Sequence, residues 1–295
     1  MKLNDIGSGS LHVRAPAASA RAQHGHGNAP KAETANPVVS RGPAANRLLA
    51  ALPPKECRRL LDATEQVALT YGEFLYEPGD EIKYVYFPND CLVSLLTLVD
   101  QHQALEVGLV GREGMVGIPL VLETSVSPVR ALVQGSGTAM RMEAAPFLTE
   151  LRQSPALQRE LHRYTYALMA QVTQTAACNR FHVVEARLAR WLLMTQDRLQ
   201  AHTFRLTQEF LAQMLGVRRV GVTKAARTLQ QAGLIDYSRG NIAILDRKRL
   251  EDAACTCYEI VRDMHEAVQP QHRHAAQSRP AEPIARDGPD QAAGT

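Results

Sequence analysis

The segment "GVRRVGVTKAARTLQQAGLI", Gly216 to Ile235, places cationic side chains at Arg218, Arg219, Lys224 and Arg227. Guanidinium and ammonium groups clustered in this way suit phosphate oxygens, and an arginine fork also matches the acceptor pair on the major-groove edge of guanine. The same segment carries Val222, Ala225, Ala226 and Leu229 three or four positions apart, the spacing of one buried helix face. Arg219, Thr223 and Arg227 follow in steps of four on the other face, with Val220 and Lys224 beside them. A solvated cationic surface is the competing explanation for the charges alone. What favours nucleic acid is the preceding "LTQEFLAQML". There Thr207 can cap a helix, Phe210, Leu211, Met214 and Leu215 face inward, and Gly216 permits a sharp turn. A helix, a glycine turn and a basic second helix make helix-turn-helix geometry, in which the second helix enters the major groove.

After Gly233, "LIDYSRGNIAIL" reads as two strands, Leu234 to Tyr237 and Asn241 to Leu245, joined by a tight "SRGN" turn. A hairpin in this position is a wing, and Arg239 at its tip is placed to reach a phosphate. Phosphate contacts are expected from Arg218, Arg227, Arg239 and the basic "DRKRL" segment. Base discrimination is expected from Arg219, Val220, Thr223 and Lys224.

Other chemistries fare worse. A cupin-type metalloenzyme needs histidines converging with a carboxylate, yet His102 is the one histidine between Val67 and Met142. "VGREGMVG" has the glycines of a phosphate loop without its lysine and Ser/Thr. His24 and His26 make an incomplete metal site. The cysteines are Cys57, Cys91, Cys178, Cys255 and Cys257, an odd number without paired metal-ligand spacing, which fits a reducing compartment. A redox pair of Cys255 and Cys257 is an alternative. Two apart on one helix, however, they point in different directions, so buried thiols are expected. No catalytic set and no metal site are expected.

The elements that must position the basic helix follow from pattern. Residues 1–43 and 269–295 are poor in large apolar side chains and are read as disordered tails. Residues 44–152 hold two short helices broken at Pro53 and Pro54, then short apolar runs separated by Gly, Pro, Asp and Asn. These indicate a β-roll of jelly-roll type, a sensor-sized domain. Residues 153–181 suit one helix of ~25 residues and ~37 Å. Its Leu157, Leu161, Tyr164 and Leu168 form a 4-3-4 stripe extended by Val172. That stripe is a coiled-coil dimer seam or a face packed on its own domain, and pattern alone leaves both open. Residues 182–268 form the winged helix-turn-helix domain, giving an α+β chain overall. Charge divides along the same line: residues 44–150 carry 8 Lys/Arg against 14 Asp/Glu, and residues 182–250 carry 12 against 5. An acidic domain is thus joined to one suited to a polyanion. No apolar run approaches a membrane span, so the expected location is the cytoplasm.

The arrangement from about Asn46 to Ile260 resembles the Crp/Fnr superfamily of bacterial transcription regulators. "GEFLYEPGDEIKYVYFP", "VGLVGREGMVG", the long helix and "LTQEFLAQMLGVRRVGVTKAARTLQQAGLI" carry the resemblance, the last most specifically. It implies a sensing roll, pairing of the long helix with its twin in a homodimer, binding of palindromic double-stranded DNA, and RNA polymerase as a further partner. The seam is thereby assigned to Leu157, Leu161, Tyr164, Leu168 and Val172 by resemblance. Cyclic-AMP-binding members hold the ligand with a Gly-Glu pair and an Arg-Ser/Thr-Ala run. Here Arg112 separates Gly111 from Glu113, and Arg130 is followed directly by Ala131. A divergent effector pocket at Glu113, Arg130 and Ala131 is the residual expectation, and cyclic AMP is disfavoured. The iron-sulfur branch has an N-terminal cysteine cluster, whereas no cysteine precedes Cys57. No cofactor is therefore expected. Many members also carry a glutamate where this chain has Val220, which predicts an altered half-site.

Overall fold

The computed structural model describes residues 45–99 and 104–268. Both tails, and with them His24, His26 and His102, lie outside the described residues. The chain enters through α1 (Arg47–Ala50) and α2 (Pro54–Asp62), the second starting on Pro54 where a missing N–H is harmless. Asn46 anchors this entry. Its side-chain oxygen accepts from Leu48 and Leu49 N–H, while its amide donates to Pro88 and Gly114 carbonyls at 2.9 Å. A fully buried side chain is thus completely satisfied.

Seven strands follow: β1 (Glu65–Leu69), β2 (Phe74–Tyr76), β3 (Tyr84–Pro88), β4 (Leu92–Leu98), β5 (Ala104–Val110), β6 (Arg130–Gly135) and β7 (Gly137–Glu143). They form two antiparallel sheets, ordered β1-β7-β3 and β2-β6-β4-β5. Val85, Phe87, Val93, Val110, Met115 and Val133 fill the roll. The outer face of the second sheet is also dry, because Leu92, Leu96, Leu109 and Leu132 join the core of the C-terminal half. That explains the unbroken apolar run "CLVSLLTLV": β4 lies between two apolar layers and cannot alternate.

α3 (Ala144–Gln153) leads into α4 (Pro155–Phe181), capped by the Ser154 hydroxyl on Leu157 N–H. Leu157, Leu161, Tyr164 and Leu168 are buried in the roll's own core and Val172 is half-buried. The expectation that these residues form the seam is therefore corrected: the stripe packs on its own domain. Gly114 shows how closely, since a Cβ there would collide with the Tyr164 ring. The outward face of α4 is a different stripe, with His162, Tyr166, Met169, Thr173, Ala176 and Arg180 exposed.

The remaining elements are α5 (Val184–Leu199), β8 (Thr203–Arg205), α6 (Gln208–Leu215), α7 (Arg219–Gln231), β9 (Ile235–Ser238), β10 (Asn241–Ile244), α8 (Arg247–Ala253) and α9 (Cys257–Ala267). β8 adds a third strand to the wing, in the order β8-β10-β9. Trp191 on α5 anchors the core formed with α6 and α7, and its Nε1 donates to Glu106 on β5 at 2.8 Å. Among the described residues no helix is long and apolar enough to cross a membrane.

Candidate nucleic-acid interface

Thr207 caps α6 through its hydroxyl, which accepts from Phe210 N–H at 3.1 Å. Gly216 ends the helix at φ +59, a left-handed conformation that glycine adopts without strain. A Cβ there would meet the tip of the Leu105 side chain of β5, which would have to shift, so the backbone conformation is the stronger reason for glycine. α7 then presents the two faces its sequence implies. Val222, Ala225, Ala226 and Leu229 are buried, whereas Arg218, Arg219, Val220, Lys224 and Arg227 are exposed. Val220 is 73% exposed, an apolar side chain facing outward in the middle of a basic surface. Thr223 is half-buried, and its hydroxyl lies 2.8 Å from Gln208 Oε1 and 3.0 Å from Arg219 O. One hydroxyl proton serves one of these acceptors at a time, so Thr223 ties α7 to the start of α6.

In the wing, Arg239 and Gly240 both have positive φ, at 48° and 79°. Two such residues between paired strands are what a type I′ hairpin turn requires, and Arg239 is exposed at its tip. The "DRKRL" segment behaves differently from expectation. Arg247 pairs with Asp197 at 2.8 Å and Glu251 at 2.9 Å, and Arg249 donates to the Ala232 carbonyl at the end of α7. Arg247 is half-buried in these pairs, whereas Lys248 and Arg249 are both exposed.

The three expected effector residues do not converge. Arg130 pairs with Glu77 at 3.0 Å and lies over the Phe74 ring. Ala131 is fully buried in the roll. Glu113 is bound to Arg198 of α5 at 2.7 Å, with both side chains more than nine-tenths buried. Burial pushes the Glu113 carboxyl up most strongly of any single influence, but Arg198, His265 and the backbone N–H groups of Gly111 and Glu113 together outweigh it and hold the group below the usual carboxylate range. Glu113 instead borders a cavity of about 570 Å³ reached by Arg112, Asp197, Arg247 and His265, between the roll and the C-terminal helices.

Beside Glu113, a buried polar chain crosses the same junction. Ser94 Oγ lies 2.7 Å from both Glu106 Oε2 and Gln134 Oε1, and Gln134 reaches Thr195. Desolvation raises Glu106 to about 7 against the pull of Ser94 and Trp191. A protonated Glu106 donating to Ser94, which then donates to Gln134, satisfies every member.

Sequence spacing offers no metal-ligand set, yet the fold brings together four side chains that could hold a metal ion. Cys255 precedes α9 rather than sharing a helix with Cys257, and Cys178, His182, Cys255 and Cys257 bring their ligand atoms within 4.8 Å of one another. Sequence spacing hid this because 77 positions separate Cys178 from Cys255.

Residues 186–253 match the sequence profile described as a Crp-like helix-turn-helix domain. The chain carries a Crp-like helix-turn-helix domain. Solved structures extend the likeness beyond the Crp-like domain to the roll and long helix. FixK2 from Bradyrhizobium japonicum is 15% identical, with 65% of this chain and 98% of that one covered at a TM-score of 0.57. A putative Crp/Fnr-family transcriptional regulator from Eubacterium rectale is 18% identical, with coverage of 71% and 98% and a TM-score of 0.56. CLP from Xanthomonas campestris, a c-di-GMP responsive global regulator, is also 18% identical, with coverage of 66% and 100% and a TM-score of 0.55. The fold is that of Crp/Fnr transcription regulators, a β-roll followed by a long helix and a winged helix-turn-helix. No curated protein sequence matches the chain.

Proposed function

We propose that the protein is a cytoplasmic homodimeric transcription regulator, not an enzyme, that binds a palindromic double-stranded DNA site through α7. The observation that carries this reading is the segregation of α7, whose exposed face holds Arg218, Arg219, Val220, Lys224 and Arg227 while its opposite face is buried. Arg219, Val220 and Lys224 read bases; Arg218, Arg227 and Arg239 hold phosphates. Thr223 contributes to base reading after releasing Gln208. The α7 helices of a dimer sit in successive major grooves, about 34 Å apart. RNA polymerase is the further partner of such a regulator.

The dimer seam runs along the exposed stripe of α4. His162, Tyr166, Met169, Thr173, Ala176 and Arg180 recur at 4-3-4-3-4, the heptad spacing. Tyr166 and Met169 are 62% and 63% exposed, large apolar groups that a partner helix would cover. A signal acts as a shift between binding-competent and incompetent dimers. Cyclic AMP is disfavoured as that signal, because Arg130 and Glu113 already have buried or half-buried partners of opposite charge.

Selection from a random double-stranded DNA library with reduced protein, with and without cyclic nucleotides, tests the proposal. A two-fold symmetric consensus enriched without additive is expected. Enrichment of nothing under either condition, from a folded dimer, refutes DNA reading by α7.

A further inference from the structure

We propose that Cys178, His182, Cys255 and Cys257 form a mononuclear site for a zinc-class divalent cation. Cys178 lies in the last turn of α4, His182 directly follows it, and Cys255 and Cys257 flank the start of α9. Cys178 Sγ is 3.4 Å from Cys255 Sγ, and Cys257 Sγ is 3.4 Å from His182 Nδ1. Zn–S bonds near 2.3 Å and Zn–N bonds near 2.0 Å place tetrahedral donor atoms roughly 3.5–3.8 Å apart. The four groups need to adjust by no more than about 1 Å to meet this. Three thiols and one imidazole are the donor set of a structural zinc site. Cys178 and Cys257 are fully buried and Cys255 nearly so, while His182 is half-buried at the edge of the cluster.

A second observation points the same way. Arg187 and Arg190 of α5 are buried beside the cluster, and neither forms a salt bridge among the described residues. The Nε atoms of both lack a hydrogen-bond partner. Buried guanidinium groups call for nearby negative charge. Three thiolates around a divalent cation supply one net negative charge, whereas three neutral thiols supply none. Gln174 donates to Cys257 Sγ at 3.1 Å, a contact that would orient the ligand. His182 coordinates as neutral imidazole, and the thiol protons still present are released to solvent as the metal binds.

The location gives the site a consequence. It fastens α9 to the end of α4, at the corner where the long helix turns into α5. Arg187 continues the link, donating to Asn179 at 2.7 Å and to the Leu215 carbonyl beside the helix-turn-helix glycine. A bound ion therefore fixes the DNA-binding domain against the long helix.

The test uses full-length reduced protein, stripped with a chelator and titrated with Co²⁺. One ion per chain is expected, with tetrahedral d–d bands and sulfur-to-cobalt charge transfer that Zn²⁺ abolishes. Cys257→Ser should lose stoichiometric binding. His182→Cys should keep the stoichiometry and strengthen the charge transfer, which guards against mistaking misfolding for ligand loss. Circular dichroism checks each variant. A folded protein that binds neither ion overturns the proposal. So does binding unaffected by both substitutions.

Discussion

Arg219 and Val220 are neighbours at the start of α7, both exposed, and their chemistry differs. A guanidinium can make two parallel hydrogen bonds to guanine, whereas valine offers only an apolar surface, suited to a thymine methyl. Arg219→Ala is therefore expected to cost about 1–3 kcal/mol on the preferred site and to relax preference at one base pair. Measured affinities for a panel of single-base variants decide this; equal weakening on every sequence would falsify base reading by Arg219. Glu106 is the second residue whose environment sets its chemistry. Its folded value near 7 stands above the ordinary 4.5. Between these values the unfolded chain has lost a proton that the folded chain keeps, so stability falls as pH rises through the window and levels off above it. The loss is at most about 3 kcal/mol. Glu106→Gln preserves the hydrogen-bond chain without the titration, so the variant's melting temperature minus the wild type's should rise between pH 4.5 and 7. His265, lowered to about 4 by burial and Arg198, works in the opposite sense below 6.5. The difference between variant and wild type isolates Glu106 because His265 is common to both.

At the scale of elements, α4 has two faces that sequence periodicity cannot rank. Both the stripe through Leu157 and the stripe through Tyr166 fit helical spacing, and only packing separates them. Tyr166→Glu or Met169→Glu should give a folded monomer, seen by sedimentation together with an unchanged far-ultraviolet spectrum. Leu161→Ala should instead cost about 2–5 kcal/mol of stability, read by denaturant titration, because it opens a cavity in the roll's core. The helix-turn-helix was legible for the opposite reason. Thr207, Gly216 and the Val222-Ala225-Ala226-Leu229 face satisfy local rules of capping, turn and burial within some 25 residues, so no distant contact was needed to recognise them. β8 was not legible, since three residues leave no alternation to detect and its strand character comes from pairing with β10.

Across the whole molecule, the roll and the C-terminal domain share a core and a buried polar junction. Leu92, Leu96, Leu109 and Leu132 pack with Trp191 and its neighbours, and Glu106–Trp191 and Glu113–Arg198 join β5 and the following turn to α5. A change in the roll is thus mechanically connected to the helix that carries α6 and α7. DNA affinity should fall steeply and log-linearly with salt, because the exposed arginines displace condensed counterions. Arg227→Ala should weaken all sequences alike and reduce the magnitude of that slope by about 1, as measured by fluorescence anisotropy across a salt series.

The sequence by itself determined the parts whose physics is local. Turn-separated apolar runs specified a roll, an uninterrupted 25-residue stretch specified α4, and the charge division with the Gly216 turn specified the basic helix of a Crp-like domain. Tertiary structure alone decided which face of α4 is free, that Arg130 and Glu113 are occupied in separate ion pairs, and that Arg247 is taken up by Asp197 and Glu251. It alone brought Cys178 and His182 to Cys255 and Cys257. Each of these depends on which distant side chain arrives next to which, and one-dimensional spacing records only neighbours along a single helix, strand or turn.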